Sequence, residues 1–401
     1  MKHVIIGNGI AGIQAAETIR SLDPEAEITL ISAEPHLPYC RPMISLVLEG
    51  STPPASISIR GSRFAEDLRI TLKTGVRVTS VDPDSRMVST DSGEFLEYDR
   101  LLIASGADSR MVRVPGVHLS HILPMRNVTH VLQLLQDISS VKNALVLGGG
   151  LVGFKAAHGL MKRGLHVTMV IGSGYPLSQQ VDETAGELIL DALRSRGLNI
   201  RTGLDVTGFD GTKSVREATF SDGSGIPCER VVVGKGVRPA VEFLPKDRIP
   251  IDLGILVNTW LETGCPGIYA AGDVAQCNDL VRNRPWINAI WPEAAVQGQI
   301  AGMNMAGRPV EYAGSLGRNV IRVYDLDVMT AGMIHPEDPE DCRIFSRHCR
   351  RGPLYRRMVI RDNRLVGFVL VNRIEQGGTL VSLIRRKMPL TRSDMRLLQT
   401  M

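Results

Sequence analysis

The chain has 401 residues, 43% hydrophobic and 22% charged, with a formal net charge of +4, which suits two to three globular domains at about 150 residues each. No apolar run approaches the roughly 18 residues a bilayer crossing needs, and Met1-Lys2-His3 leads into residues 4–6 and then glycines rather than into a signal or transit peptide, so no membrane span and a cytoplasmic location are expected. The six cysteines (Cys40, Cys228, Cys265, Cys277, Cys342, Cys349) form no C-x-x-C pair, and 4% aromatics against 40 glycines disfavour a zinc module, a disulfide scaffold and a base-stacking nucleic-acid platform.

Residues 3–32 read as strand 3–6, the turn Gly7-Asn8-Gly9-Ile10-Ala11-Gly12, helix 13–22 and strand 27–32. A G-x-G-x-x-G turn between strand and helix lets the backbone approach a pyrophosphate and aims helix N–H groups at it. The acidic residue that ends the second strand of such a unit accepts ribose hydroxyls, and here Ser32 or Glu34 could serve, Glu34 also reading as a solvated loop carboxylate. A second copy follows: strand 144–147, the turn Gly148-Gly149-Gly150-Leu151-Val152-Gly153, helix 154–163 and strand 166–171. Its corresponding ribose position, Ile171-Gly172-Ser173-Gly174, offers neither carboxylate nor arginine, so the choice between NADH and NADPH is not legible.

Two apolar strands ending in small residues, 101–106 and 231–236, close the two units. Strand 267–271 ends in Gly272-Asp273 and precedes a helix-compatible stretch, 292–305, which together are expected to return to the first domain. Pro292 suits a first helical position, whose positive end favours negative charge. From about residue 313 alternating strands (319–324, 356–361, 365–371) and a helix over 379–386 indicate a third, α+β domain. Its 16 basic against 9 acidic residues give it +7, which leaves −3 for the rest. Arg343, Arg347, Arg350, Arg351, Arg356 and Arg357 are its densest basic cluster, read either as a solvated face or as steering for an acidic partner; no nucleic-acid reader motif accompanies it. No histidine pair has metal-ligand spacing, so no metal site is expected.

The ordered set of two glycine turns, Gly272-Asp273 and Pro38-Tyr39-Cys40-Arg41-Pro42 resembles the pyridine nucleotide-disulfide oxidoreductase superfamily of two-dinucleotide flavoproteins over about residues 3–310. The R-P segment, the tail Tyr355-Arg356-Arg357-Met358-Val359-Ile360 and Asn363-Arg364-Leu365-Val366-Gly367 are similar to NAD(P)H:rubredoxin reductases and to the flavoprotein part of NADH-dependent nitrite reductase. The resemblance implies an α/β fold with two Rossmann-like domains plus a C-terminal α+β domain: FAD-binding over 1–112 and 245–312, NAD(P)H-binding over 113–244, and a C-terminal interface domain over 313–401. It implies FAD at Gly7, Gly9 and Gly12, NAD(P)H at Gly148, Gly150 and Gly153, Asp273 on the ribityl chain, and Arg41 and Pro42 beside the flavin. Glu34, Val78, Ala104, Gly106, Gly236, Gly272 and Trp291 complete the expected cofactor-binding set, with Trp286 and Trp291 equally explained by packing.

Three departures shape the expected chemistry. The paired C-x4-C of disulfide-reducing members has no counterpart, and the position of the peroxidase cysteine is Pro42; Cys40 reads as a small thiol beside an aromatic or as a flavin neighbour. Ferredoxin-reductase relatives pair a lysine with a glutamate where this chain has Leu46 and Lys155, so Lys155 is a candidate for tuning the flavin, or a solvated helix lysine. The function implied is an FAD-dependent oxidoreductase passing electrons between NAD(P)H and a rubredoxin- or ferredoxin-type carrier, small and acidic. The alternatives are an electron-transfer subunit of a larger metalloenzyme (aldehyde, carbon monoxide or nitrite), an NADH oxidase or peroxidase, or a flavin-binding sensor; oligomeric state is left open.

Overall fold

The computed structural model describes residues 1–349, 352–392 and 394. The chain forms two compact units: the first comprises Met1–Pro42, Ala55–Asp108 and Arg238–Gly317, the second Met43–Pro54, Ser109–Val237 and Arg318–Met401.

The first unit is built on a parallel sheet in the order Ile268–Ala270, Arg100–Ile103, Lys2–Ile6, Glu27–Ser32, Thr71–Thr74. Its central strands are near-continuous apolar runs because both faces are covered, the pattern of a parallel sheet flanked by other layers. Ile6 lies in register with Ile31 and with Ile103, so three strands end at one level and Gly7 emerges there. Helix Ile10–Leu22 starts three residues earlier than its periodicity indicates, because the last half of the glycine turn is already its first turn. It packs against helix Trp291–Met305, where a Cβ on Gly298 would stand 2.1 Å from the Ala11 carbonyl oxygen and one on Gly302 2.8 Å from that of Ala15. Only glycine allows the two backbones this close. That helix begins at Trp291 with Pro292 in its first turn, and strand Ile268–Ala270 joins the first sheet, as expected of the returning segment.

The second unit repeats the plan: parallel strands Asn199–Thr202, His166–Ile171, Asn143–Leu147, Arg230–Val233 and Ile122–Pro124, with helix Leu151–Lys162 following the second glycine turn. Residues from 318 onward are grouped with this unit by their contacts. They form an antiparallel sheet in the order Arg318–Val323, Leu326–Gly332, Arg364–Val371, Leu354–Arg361, Cys342–Cys349, with helix Gly377–Arg385 packed on it through Leu380 and Ile384. The Tyr355 hydroxyl donates to Asp182 Oδ2 at 2.5 Å, which ties this sheet to the start of helix Glu183–Ser195.

The described arginines of the cluster differ in environment. Arg343 and Arg347 are exposed on the edge strand, Arg356 is buried, Arg357 lies 3.6 Å from Asp182, and Arg350 and Arg351 fall outside the described residues. Strand alternation separates neighbours that linear sequence groups together.

Candidate functional site

The first glycine turn is closed where it must be and open where a ligand would enter. Gly7 has φ +113°, and a Cβ there would stand 2.1 Å from the Ala104 carbonyl oxygen; a Cβ on Gly12 would stand 1.9 Å from the Gly7 oxygen. Around Gly9 no atom lies within 4 Å of the Cβ position. The Gly7 N–H donates to Ile31 O at 2.7 Å and Ala104 N–H to Ile6 O at 2.8 Å, so the turn is fixed by the strands on either side. The second turn repeats this atom for atom. A Cβ on Gly148 (φ +108°) would stand 2.3 Å from the Gly234 carbonyl oxygen, one on Gly153 would stand 1.9 Å from the Gly148 oxygen, and one on Gly150 would have nothing within 4 Å. Gly148 N–H donates to Val170 O and Gly234 N–H to Leu147 O, at 2.8 and 2.7 Å. Each turn feeds a helix N-terminus whose dipole favours a phosphate. Two cradles of this form fit the pyrophosphates of two dinucleotides.

Within the first unit the structure gathers three of the expected residues. Glu34 accepts from Tyr39 Oη and from Arg41 Nη2, both at 2.6 Å, and the Arg41 guanidinium lies 5.3 Å from the Tyr39 ring centroid. Glu34 is therefore an ion-paired, largely buried carboxylate, not a solvated loop residue. Burial alone would raise its pKa, but the Arg41 charge and the Tyr39 hydroxyl outweigh burial and hold it below the ordinary carboxylate value. Burial also opposes the Arg41 charge; Tyr39, Glu34 and Asp273 together keep its pKa above the ordinary value. Asp273 thus lies in the field of Arg41. Ser32 is buried, and its hydroxyl is engaged with the Glu34 backbone at 3.2 Å.

The Gly272-Asp273 turn is held by residues that the sequence did not single out. Gly272 adopts φ +83°, and its N–H donates to Gln297 Oε1 at 2.8 Å. Gln297 is 3% exposed; its Nε2 donates to Cys277 Sγ at 3.3 Å and to Tyr312 Oη at 3.4 Å, and Tyr312 in turn donates to buried Glu293 at 2.6 Å. Burial pushes the Cys277 thiol up to about 11 and raises the Tyr312 hydroxyl, so both stay protonated and act as packing and hydrogen-bonding groups. The G-x-x-x-G spacing of Gly298 and Gly302, facing Ala11 and Ala15, was the available signal that this helix face is buried.

The remaining candidates are dispersed. Val78 is buried in the core with Ile6 and Ile31, so only its backbone is available to a ligand. Ala104 is buried beside Gly7, and Gly106 (φ +70°) follows it. Gly236 (φ +85°) ends the Arg230–Val233 strand segment with open space around it. Trp291 is half-buried at the helix start, Pro42 is exposed, and Trp286 stacks with Arg282 at 4.7 Å and Arg284 at 5.4 Å. Lys155 sits on the exposed face of helix Leu151–Lys162 and Leu46 is half-buried, both in the second unit. All six cysteines are free thiols. Among the described residues no metal-binding cluster occurs and no helix is long and apolar enough to cross a membrane.

A family model described as pyridine nucleotide-disulphide oxidoreductase matches residues 1–298, and one described as the rubredoxin NAD+ reductase C-terminal domain matches 318–388. Nitrite reductase [NAD(P)H] of Bacillus subtilis is 30% identical over 96% of this chain, which spans only 47% of that relative. The NADH-dependent phenylglyoxylate dehydrogenase subunit epsilon of Aromatoleum evansii is 30% identical over 97% of this chain and 93% of its own length. The crystal structure of NADH:rubredoxin oxidoreductase from Clostridium acetobutylicum superimposes with a TM-score of 0.81 at 25% identity, covering 100% of this chain and 99% of that one. With two dinucleotide cradles in place and a family match across three quarters of its length, the chain belongs to the pyridine nucleotide-disulphide oxidoreductase family and is an FAD-dependent NAD(P)H oxidoreductase.

Proposed function

We propose that this oxidoreductase moves electrons between NAD(P)H and a small acidic one-electron carrier of the rubredoxin or ferredoxin type. FAD supplies the chemistry when bound, because it accepts a hydride and releases electrons singly. The chain's residues bind and orient. Gly7, Gly9 and Gly12 hold the FAD pyrophosphate against the first helix, Glu34 meets the adenosine ribose, and Asp273 takes the ribityl hydroxyls from a turn fixed by Gln297. Arg41 offers a charge beside the flavin, and Gly148, Gly150 and Gly153 hold the nicotinamide nucleotide. Lys155 is proposed to tune the flavin potential and Trp291 to line its site. Hydride transfer needs no side-chain base, so orientation is the protein's main contribution.

The observation that carries this reading is the matched pair of cradles, each barred to any side chain at its first and third glycine and open at its second. The match of residues 318–388 to the rubredoxin-reductase tail supports the carrier class. The near full-length likeness to subunit epsilon favours one further reading, that the same half-reaction runs inside a larger complex. In either case the cytoplasm is the proposed location.

Anaerobic titration of the yellow protein with NADH and NADPH, followed by an acidic rubredoxin, tests the proposal. Bleaching by nucleotide and reoxidation by rubredoxin are expected, with a rate that falls as salt rises. Bleaching without rubredoxin reoxidation, together with co-purification of a stoichiometric large partner, would favour the complex instead. Rapid NADH consumption in air with no carrier would move the assignment to an oxidase.

A further inference from the structure

The second unit lacks an acidic residue at the end of its second strand, Ile171-Gly172-Ser173-Gly174, where such units usually meet the adenosine ribose. The fold brings one there from elsewhere. Gly203 N–H donates to Ser173 O and Leu204 N–H to Ile171 O, both at 3.3 Å, so the segment after strand Asn199–Thr202 is laced onto the ribose position by its backbone. Asp205 is pinned in turn by Ser221, whose N–H donates to Asp205 O at 2.9 Å and whose hydroxyl accepts from Asp205 N–H at 3.3 Å. As a result Asp205 Oδ1 lies 3.3 Å from the point a Cβ on Gly172 would occupy.

Lys235 approaches from the other side. It follows Gly234, which packs against Gly153 of the second turn, and its Nζ lies 2.9 Å from Asp205 Oδ1. The lysine side chain is 27% exposed and the carboxylate 72%, so Asp205 presents an oxygen outward while Lys235 fixes its position. A solvated pair of this kind adds little stability; its effect is to place one carboxylate where the sequence shows none.

We infer that Asp205, held by Lys235, is the residue that selects NADH over NADPH. The inference rests on the reading of the second glycine turn as the nicotinamide-nucleotide cradle. A carboxylate at this point accepts hydrogen bonds from the two hydroxyls of an unmodified ribose, and it repels the 2′-phosphate that distinguishes NADPH. Lys235 lessens that repulsion without supplying a free cation, because the carboxylate already engages it.

The test is the ratio of dissociation constants for NADH and NADPH, from the saturation of flavin reduction in the anaerobic holoenzyme. Calorimetry with ADP-ribose and 2′-phospho-ADP-ribose repeats it without redox chemistry. Wild type is expected to prefer the unphosphorylated ligand about tenfold or more. Asp205→Asn should shrink that preference at least fivefold, and Lys235→Ala, which leaves the carboxylate unneutralised, should widen it. Because each readout is a ratio, a general loss of fold cannot imitate the opposed shifts. A wild-type ratio near one, or an Asp205→Asn variant whose two affinities change equally, overturns the inference. Wild type that binds neither adenosine ligand refutes the reading of the second cradle itself.

Discussion

Single side chains carry charge states that can be checked directly. His3 is 1% exposed in the first sheet, and neither ring nitrogen has a partner among the described residues. Burial, with help from the N-terminal amine and Arg100, lowers its pKa from 6.5 to about 4. The unfolded chain therefore binds a proton that the folded chain refuses between about pH 6.5 and 4, so stability should fall with acidification across that window, by about 3 kcal/mol at its end. Replacing it by valine, which suits a buried parallel strand, should flatten this acid limb in urea titrations at pH 7, 5.5 and 4.5; an unchanged limb would mean the ring is not the titrating group. Glu34 poses the opposite case, an ionised carboxylate kept by Arg41 and Tyr39. Glu34→Gln should weaken FAD binding about tenfold, roughly 1.4 kcal/mol, in fluorescence titrations of the apoprotein. At this scale the sequence named Glu34, Arg41 and Asp273, because each sits at a fixed offset from a motif. It could not show that Arg41 pairs with Glu34, nor name Gln297, Tyr312 and Glu293, since those contacts join positions far apart in the chain.

Among the elements, the glycine turns separate folding from binding. Gly9→Ala and Gly150→Ala place a methyl in open space, so the apoprotein melting temperature should hold while one ligand is lost in each: FAD in the first, NAD(P)H in the second. Gly12→Ala and Gly153→Ala place it 1.9 Å from a carbonyl oxygen and should lower stability itself, by about 3 kcal/mol. Melting curves and cofactor titrations of the four variants together decide the point; equal behaviour of middle and third glycines would contradict it. These turns, their strands and the helix over 291–305 were legible because periodicity and glycine spacing are local properties. Helix starts were misplaced by one to three residues where the turn itself begins the helix, as at Ile10 and Leu151. The arginine cluster could not be resolved from linear order alone, because strand pairing sets Arg347 opposite Arg356, which is buried, while alternation turns Arg357 to the other side of the sheet.

For the molecule as a whole, the tail sheet is fastened to the second unit through a buried polar contact. Tyr355→Phe would leave Asp182 with Arg357 at 3.6 Å as its side-chain partner among the described residues and should cost about 2 kcal/mol, seen as an earlier unfolding transition. The order of segments along the chain has a consequence for biogenesis. The second unit's parallel sheet lies wholly within residues 122–233, whereas the first unit's sheet is incomplete until Ile268–Ala270 pairs with Arg100–Ile103, and its helix packing waits for Trp291–Met305. During synthesis the later-encoded nucleotide sheet can therefore mature while the opening segment still awaits its missing strand. A nascent polypeptide whose residues through Pro250 have cleared the exit tunnel should carry that sheet formed yet remain colourless, and pigment capture should begin only once the segment through Met305 has cleared it as well.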